Sequence, residues 1–317
     1  MKVIVLGAGV VGVTTAYHLA QAGCEVTVID RQAAAASETS YGNAGLITPG
    51  DSFAWASPAA LKTFVSSLVK PDMGIKVKPN LDPRFIAWTL KFLGQCTAKK
   101  ALENTEKKLR LSVYAREQMA ALVEKTGVQF DLVQKGVLYF YRSQETLDHG
   151  VAHMQFMADK GLPIEVLDRE GLVRHDSGLK HSADQLAGGI LCGVDQTGDS
   201  CKFSRNLAAW CESTMGVNFN WGASIKTIET TGDKVTKIVT DKGDFTADAY
   251  ILATGCDSPL LLSEIGVKLA LYPVKGYSIT AKITDDSAAP VMGGVDDDKL
   301  IAYSRLGDRI RVACTAE

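Results

Sequence analysis

Three glycines near the N-terminus, Gly7, Gly9 and Gly12, follow the spacing G-x-G-x-x-G. Such a turn holds the pyrophosphate of a dinucleotide when it joins a buried strand to a helix. Here Val3, Ile4, Val5 and Leu6 precede it as an apolar run, and Ala8, Val10, Val11, Val13 and Thr14 fill the turn and open a helical pattern. Each glycine has its own task. Gly7 permits the tight turn, Gly9 lets the backbone approach a phosphate, and Gly12 lets helix and strand pack closely. The helix start adds unpaired N–H groups and the positive end of a dipole. "EVTVID" reads as a second strand ending at Asp30, about twenty positions on, where a carboxylate accepts ribose hydroxyls and disfavours a 2′-phosphate. Arg31 beside it is the one residue that speaks for a phosphate there.

The elements that must hold this turn follow from periodicity. Val13, Ala16, Tyr17 and Ala20 share one helix face, and Gly23 suits its stop. After Asp30 a loop rich in small residues carries Gly42, Gly45, Pro49 and Gly50, which allow close approach to a large ligand. Helices are expected at "PAALKTFVSSLVK", with Leu61, Phe64, Val65 and Leu68 on one stripe, and at "PRFIAWTLKFLGQC", with Phe85, Trp88, Leu90 and Phe92. A longer charged helix closes at Gly127, "GVLYFYRS" reads as a strand, and "SQETLDHGVAHMQFMADKG" returns to helix. Downstream, "SIKTIETTGDKVTKIVTDKGDFTADAYILATG" contains a meander of strands and ends in what suits a buried parallel strand. The class is therefore α/β, α+β overall. A Rossmann-like domain with a β-meander (1–57 and 189–262) is joined to a second domain with a mostly antiparallel sheet and helices (58–188 and 263–317).

Composition narrows the classes. A 46% hydrophobic content with 22% charged residues fits a globular chain with a sizeable core, and a formal charge of −2 gives no field favouring nucleic acid. Seven scattered cysteines without C-x-x-C suit free thiols in a reducing cytosol. The N-terminal apolar run is used as strand and turn, so no export signal is expected, and no run is long enough to span a membrane.

Five segments carry a more specific likeness. They are the N-terminal turn through Arg31, "ETSYGNAGLITPG", "GVDQTGDSCKFS", "ILATGCDSP", and "YPVKGYSIT" ahead of "RLGDRIRVACTAE". Together they resemble the bacterial FAD-dependent D-amino-acid dehydrogenases (small subunit), within the D-amino-acid oxidase and glycine oxidase superfamily. The resemblance runs along the whole chain. It implies bound FAD, oxidative deamination of D-amino acids such as D-alanine to 2-oxo acids and ammonia, and a quinone-type respiratory electron acceptor. It also implies a cytoplasmic location, with peripheral contact on the cytoplasmic face of the inner membrane left open. By resemblance, Ser40, Asn43, Ala44 and Gly45 match the loop that runs past the flavin. Ile225 matches a position whose backbone meets the adenine, Thr254 and Gly255 the turn beneath the cofactor, and Arg305 the arginine that binds the substrate carboxylate, although from the residues alone an exposed strand arginine paired with a surface acid fits Arg305 equally well. Members of that group continue past the segment matching the end of this chain, so a C-terminal truncation is expected. Two other readings stay open: an oxygen-using amine, glycine or sarcosine oxidase of the same superfamily, and an inactive flavoprotein fragment.

The remaining candidates are weaker. Tyr272, Tyr277 and Tyr303 carry hydroxyls, but filling or covering a sheet is the simpler role for each. Lys275 suits solvent as well as a flavin edge. His149 and His153 are four apart but lack H-E-x-x-H and a third ligand, so no metal is expected. Cys201 has nothing nearby to lower its pKa. The aromatic helix at Phe85–Phe92, flanked by Arg84 and Lys91, suits core packing better than a membrane interface.

Overall fold

β-Branched residues in "KVIVL" and "EVTVID" build two neighbouring strands, Lys2–Leu6 and Glu25–Asp30, joined by the helix Val10–Gln21. The computed structural model describes residues 1–67, 74–78 and 80–317, the side chain of Val65 excepted. Leu68, assigned above to the stripe of the first insertion helix, lies outside the described residues, as does the Val65 side chain. The chain divides into two compact units. One comprises Met1–Gly42, Val123–Phe130 and Ser200–Pro273; the other comprises Asn43–Leu122, Asp131–Asp199 and Val274–Glu317.

In the first unit four parallel strands lie in the order Ala249–Leu252, Lys2–Leu6, Glu25–Asp30, Asn218–Trp221. Parallel pairing needs crossovers, and the crossover between the first two strands in sequence is the glycine turn with its helix. The three-stranded antiparallel meander Ile225–Thr231, Lys234–Thr240, Gly243–Phe245 forms a separate sheet. Ile228 and Ile238 of the meander pack with Ile4, Leu6 and Ile29, so meander and parallel sheet share a core. The strand Ala249–Leu252 is parallel, as expected, but not buried: Ile251 is 37% exposed, because this strand is the sheet's edge.

The second unit is built on a seven-stranded mixed sheet. Its order is Gly276–Lys282, Arg309–Ala316, Ile301–Leu306, Gly293–Asp296, Val137–Tyr141, Gly188–Cys192, Ile164–Asp168. Only Gly293–Asp296 against Val137–Tyr141 is parallel. All five residues of Val137–Tyr141 are buried, which explains its apolar side chains on both faces. Tyr139, Tyr141 and Ile190 meet Met154 and Met157 of the helix Gln144–Asp159, whose start is fixed by a Ser143–Thr146 capping box. The helix Pro83–Leu93 carries its aromatics as expected, with Trp88 and Phe92 stacked at 5.2 Å. None of its residues is buried and Leu90 is 66% exposed, so core packing does not account for it.

Residues 43–57 and 189–199, grouped above with the nucleotide domain, belong by contact to this second unit, and 123–130 and 263–273 belong to the first. The reason is local. Leu46–Ile47 pairs with Gln196–Thr197, Thr197 bridges to Val133, and the Gly50 N–H donates to Asp195 Oδ1 at 2.9 Å. The division into a cofactor part and a substrate part concerns binding rather than contact and stands as a proposal.

Candidate functional site

The turn between the first strand and its helix is shaped by backbone contacts. Gly7 has φ +103°, and a Cβ there would stand 2.5 Å from the Ala253 carbonyl oxygen. A Cβ on Gly12 would stand 1.9 Å from the Gly7 carbonyl oxygen. The protein's own packing therefore requires both glycines. Gly9 differs, since only Ser40 Oγ, at 3.4 Å, lies near its virtual Cβ. Packing leaves that position open, which is what a ligand approaching the backbone requires.

The donors at this turn fit a pyrophosphate. Gly9 offers no side-chain cap to the helix, and the N–H groups of Val11 and Gly12 have no hydrogen-bond partner among the described residues. Ser40 Oγ accepts from the Val10 N–H at 3.0 Å, and Thr14 Oγ1 turns back to the Val10 carbonyl at 2.8 Å. Unpaired amides at a helix start, with the dipole behind them, form an anion site. Beneath them Val3, Ile4, Val5, Leu6, Ala8 and Val13 are all buried, whereas Val11 is 63% exposed on the helix's outer face.

Asp30 has a structural task besides the expected one. Its Oδ2 accepts from the Ala8 N–H at 2.6 Å and its Oδ1 from the Gln32 N–H at 2.8 Å, which fixes the turn against the end of the second strand. Arg31 pairs with Glu38 at 3.0 Å and with Asp257 at 2.9 Å. Hydrogen bonds from Gln32 and Arg31 hold the Glu38 carboxyl below its usual range. A 2′-phosphate at this guanidinium would have to displace both carboxylates.

Thr254 and Gly255 follow the edge strand. Gly255 has φ +56°, and Thr254 Oγ1 lies 3.0 Å from Ser258 Oγ. Ile225 opens the meander opposite Thr240. In the second unit Asn43, Ala44 and Gly45 form a loop whose three carbonyls are all engaged. Arg311 Nη1 donates to Asn43 O at 3.2 Å, Ser304 Oγ to Ala44 O at 2.6 Å, and the Gly198 N–H to Gly45 O at 2.8 Å. Gly45 sits at φ +72° with the Gly198 carbonyl 2.7 Å from its virtual Cβ, so only glycine fits.

Arg305 lies on the strand Ile301–Leu306 and lines a cleft of about 340 Å³ with Leu132, Val133, Gln134, Lys135 and Val291. Its guanidinium is ion-paired to Asp286 and also donates to Gly307 O at 3.2 Å. Tyr303 is buried, with its hydroxyl 3.5 Å from Asp176, while Tyr277 donates to Glu317 at 3.0 Å beneath the Lys275 ammonium. His153 stacks on Phe53 at 3.6 Å, and burial lowers its pKa. No cluster of metal-ligating residues occurs among the described residues.

Sequence reasoning missed a buried node. Asp195, 0% exposed, accepts from Tyr139 Oη at 2.7 Å as well as from Gly50, and burial pushes its pKa up to about 6. It also missed Arg311 and Ser304, which fix the 43–45 loop. No local pattern marks either, because their partners lie more than 250 residues away.

Similarity to known proteins agrees with the geometry of the turn. The family described as FAD dependent oxidoreductase (DAO) matches residues 2–317. The chain belongs to this family. Like other FAD dependent oxidoreductases, it takes FAD as its cofactor. It is 48% identical over 317 residues to D-amino acid dehydrogenase 2 of Mesorhizobium japonicum, covering all of this chain and 76% of that protein. It is 42% identical to D-amino acid dehydrogenase of Phenylobacterium zucineum, covering 74% of that protein. In fold it matches glycine oxidase from Geobacillus kaustophilus with a TM-score of 0.74 at 19% identity, covering 100% of this chain and 72% of that one. It also matches L-proline dehydrogenase from P. horikoshii with a TM-score of 0.69 at 15% identity, covering 98% and 68%. This family membership accounts for the mixed α/β architecture of both units.

Proposed function

We propose that this FAD dependent oxidoreductase deaminates D-amino acids oxidatively, consuming water and yielding a 2-oxo acid, ammonia and a two-electron-reduced acceptor. The observation that carries the reading is the extent of its likeness to proteins named D-amino acid dehydrogenase, 48% over all 317 residues. The open glycine turn supports it by offering a place for the cofactor.

In this reading the free amides of Val11 and Gly12, with the backbone at Gly9, hold the FAD pyrophosphate, and Asp30 meets the adenosine ribose. Ile225, Thr254 and Gly255 complete the adenosine and turn contacts, while Ser40 and the 43–45 loop lie along the flavin. When bound, FAD supplies the two-electron acceptor for the substrate's Cα–H bond. Arg305 binds the substrate carboxylate through two parallel charge-assisted bonds, displacing Asp286, whose side chain is 79% exposed and free to swing into water. The amine must lose its proton before the C–H bond breaks, and the resulting imine hydrolyses in water. Electrons then pass to a quinone-type acceptor, with the chain in the cytoplasm, at most peripheral to the membrane. Among the described residues no helix is long and apolar enough to cross a membrane.

The test is a visible spectrum of the purified chain before and after anaerobic D-alanine. The expected result is a yellow protein that bleaches with D-alanine and not with L-alanine. Bound flavin that no D-amino acid bleaches would overturn the substrate assignment. Peroxide formed in proportion to substrate in air would replace the quinone acceptor with oxygen.

A further inference from the structure

Residues 45–54 form a strap that is fixed at both ends. Leu46 and Phe53 of the strap pack against the cluster of Val137, Tyr139 and Tyr141 on one face of the large sheet. At the inner end the Gly198 N–H donates to Gly45 O at 2.8 Å, and Leu46–Ile47 pairs with Gln196–Thr197. Gly50 then presses on Asp195, whose Oδ2 would stand 2.5 Å from a Cβ at that glycine. The outer end is tied to one face of the helix Ala98–Thr126. Ser52 Oγ donates to Ser112 Oγ at 2.9 Å, Lys108 Nζ to Phe53 O at 2.6 Å, and the Ala54 N–H to Thr105 Oγ1 at 3.0 Å.

Asp51 lies between these ends and is left over. Its N–H donates to Thr48 O at 3.1 Å, but its carboxylate accepts no hydrogen bond among the described residues. The charges that face it are mostly of its own sign. Asp297 stands in the turn after Gly293–Asp296, and Asp195 lies under Gly50. Lys108 is the opposing cation, and its ammonium is already shared with Phe53 O. The hydroxyls of Tyr139 and Tyr141 face the same carboxylate from the strand Val137–Tyr141 and bring no positive charge. Beyond Asp297 stands His153 of the helix Gln144–Asp159, stacked on Phe53; burial lowers its pKa, so it offers little positive charge at neutral pH. Tyr141, His149, His153, Asp297 and Asp298 line an open cleft of about 390 Å³, which leaves space beside the strap. Asp51 itself stays within reach of solvent, yet protein crowds its carboxyl from several sides. That burial, reinforced by Asp297 and Asp195 and opposed by Lys108, pushes its pKa up to about 6.

We infer that Asp51 is a proton-operated latch on the strap: protonated, it lets residues 49–53 lie closed on the sheet, and charged, it drives them open. The step moves one proton between Asp51 and water and needs no other reactant. A released strap returns the carboxyl to its ordinary value of 3.8, so the open form is the stronger acid and rising pH favours opening. Between pH 5 and pH 7 the opening equilibrium grows about tenfold. The latch follows from the geometry of this unit. Its meaning for activity rests on the proposed function, in which residues 43–45, at the strap's inner end, lie along the flavin.

The test is hydrogen exchange on the full chain as wild type, Asp51→Asn and Asp297→Asn, with protection corrected for the intrinsic rate at each pH. The reporters are the amides of Gly50, Asp51, Ser52 and Ala54, all of which have acceptors in the closed strap. In the wild type their protection falls about tenfold from pH 5 to pH 7. Asp51→Asn removes no hydrogen bond and flattens the fall. Asp297→Asn takes away a facing like charge and makes the fall smaller. A fall that persists in Asp51→Asn overturns the latch and puts the titration on Asp195. A fall shared equally by the amides of Val137–Tyr141 is unfolding of the whole unit and overturns it too. Repeating the series with FAD separates the latch from the reading it serves. Added FAD that raises strap protection supports both. Strap protection unchanged by bound FAD, with its pH dependence intact, keeps the latch and removes residues 43–45 from the cofactor's side.

Discussion

The glycine turn of the first unit and the strand pair carrying Arg305 and Arg311 in the second assemble polar groups in opposite ways. At the turn the groups are backbone amides, carried by residues 3–14 and propped by Asp30, Ser40 and the backbone of Ile29, Ala36 and Ala253. On the sheet the groups are side chains, and their placement depends on strands and loops brought together from positions 43, 280 and 304. The turn's amides all come from one peptide segment, whereas the arginine face draws its groups from several strands of the finished sheet. Substitutions at the turn should therefore separate folding from ligand binding position by position, while those on the sheet act through partners distant in sequence.

The largest effect is expected at Gly12→Ala, where the new Cβ meets backbone 1.9 Å away that cannot yield. Thermal melting should show a loss of more than about 3 kcal/mol, with no flavin retained. Equal stability of Gly12→Ala and wild type would mean that the turn is not fixed by its own packing. Next comes Asp195→Ala, which strands the Gly50 N–H and the Tyr139 hydroxyl in a buried site. At about 1–3 kcal/mol per orphaned group, denaturant unfolding should register a loss of about 3 kcal/mol.

Asp195 also has a pH signature. Burial raises its carboxyl to about 6 in the folded chain from an ordinary value of 3.8. Between those values the folded chain holds a proton that the unfolded chain has released, so this group makes stability fall as pH rises from about 4 to about 6. Asp195→Asn should flatten that part of the stability profile, and a profile unchanged by the substitution would contradict the raised pKa. Gly9→Ala is expected to be nearly silent in stability, within about 0.5 kcal/mol, yet to weaken FAD binding at least tenfold by equilibrium titration. A flavin-competent Gly9→Ala would put the phosphates elsewhere. The smallest effect belongs to Asp286→Asn, a pair with one partner 79% exposed, which should leave stability within about 0.5 kcal/mol. If Arg305 meets the substrate, freeing it should lower KM for D-alanine a few fold with little change in kcat.

What the sequence made legible tracks this division. The strand–turn–helix at residues 2–21, the second strand ending on Asp30, and the meander follow from periodicity and turn residues within short windows. The strand Val137–Tyr141 and the capped helix after it were equally readable. The grouping of 43–57 with the second unit was not, because it depends on the pairing of Leu46–Ile47 with Gln196–Thr197, about 150 residues away. The exposure of Ile251 reflects a strand's place at a sheet edge, which its own apolar sequence does not encode. Which acid pairs with Arg305 was not legible, because no local pattern links this strand residue to Asp286, 19 residues earlier.

The pairing of Lys2–Leu6 with Ala249–Leu252 has a consequence for biosynthesis. The first strand is made about 240 residues before the neighbour that completes it. At roughly 5–20 residues per second, that wait lasts about 12–50 s. Throughout it, the apolar residues of the first strand lack one flank of their sheet, which gives chaperones a defined interval in which to act on the nascent chain.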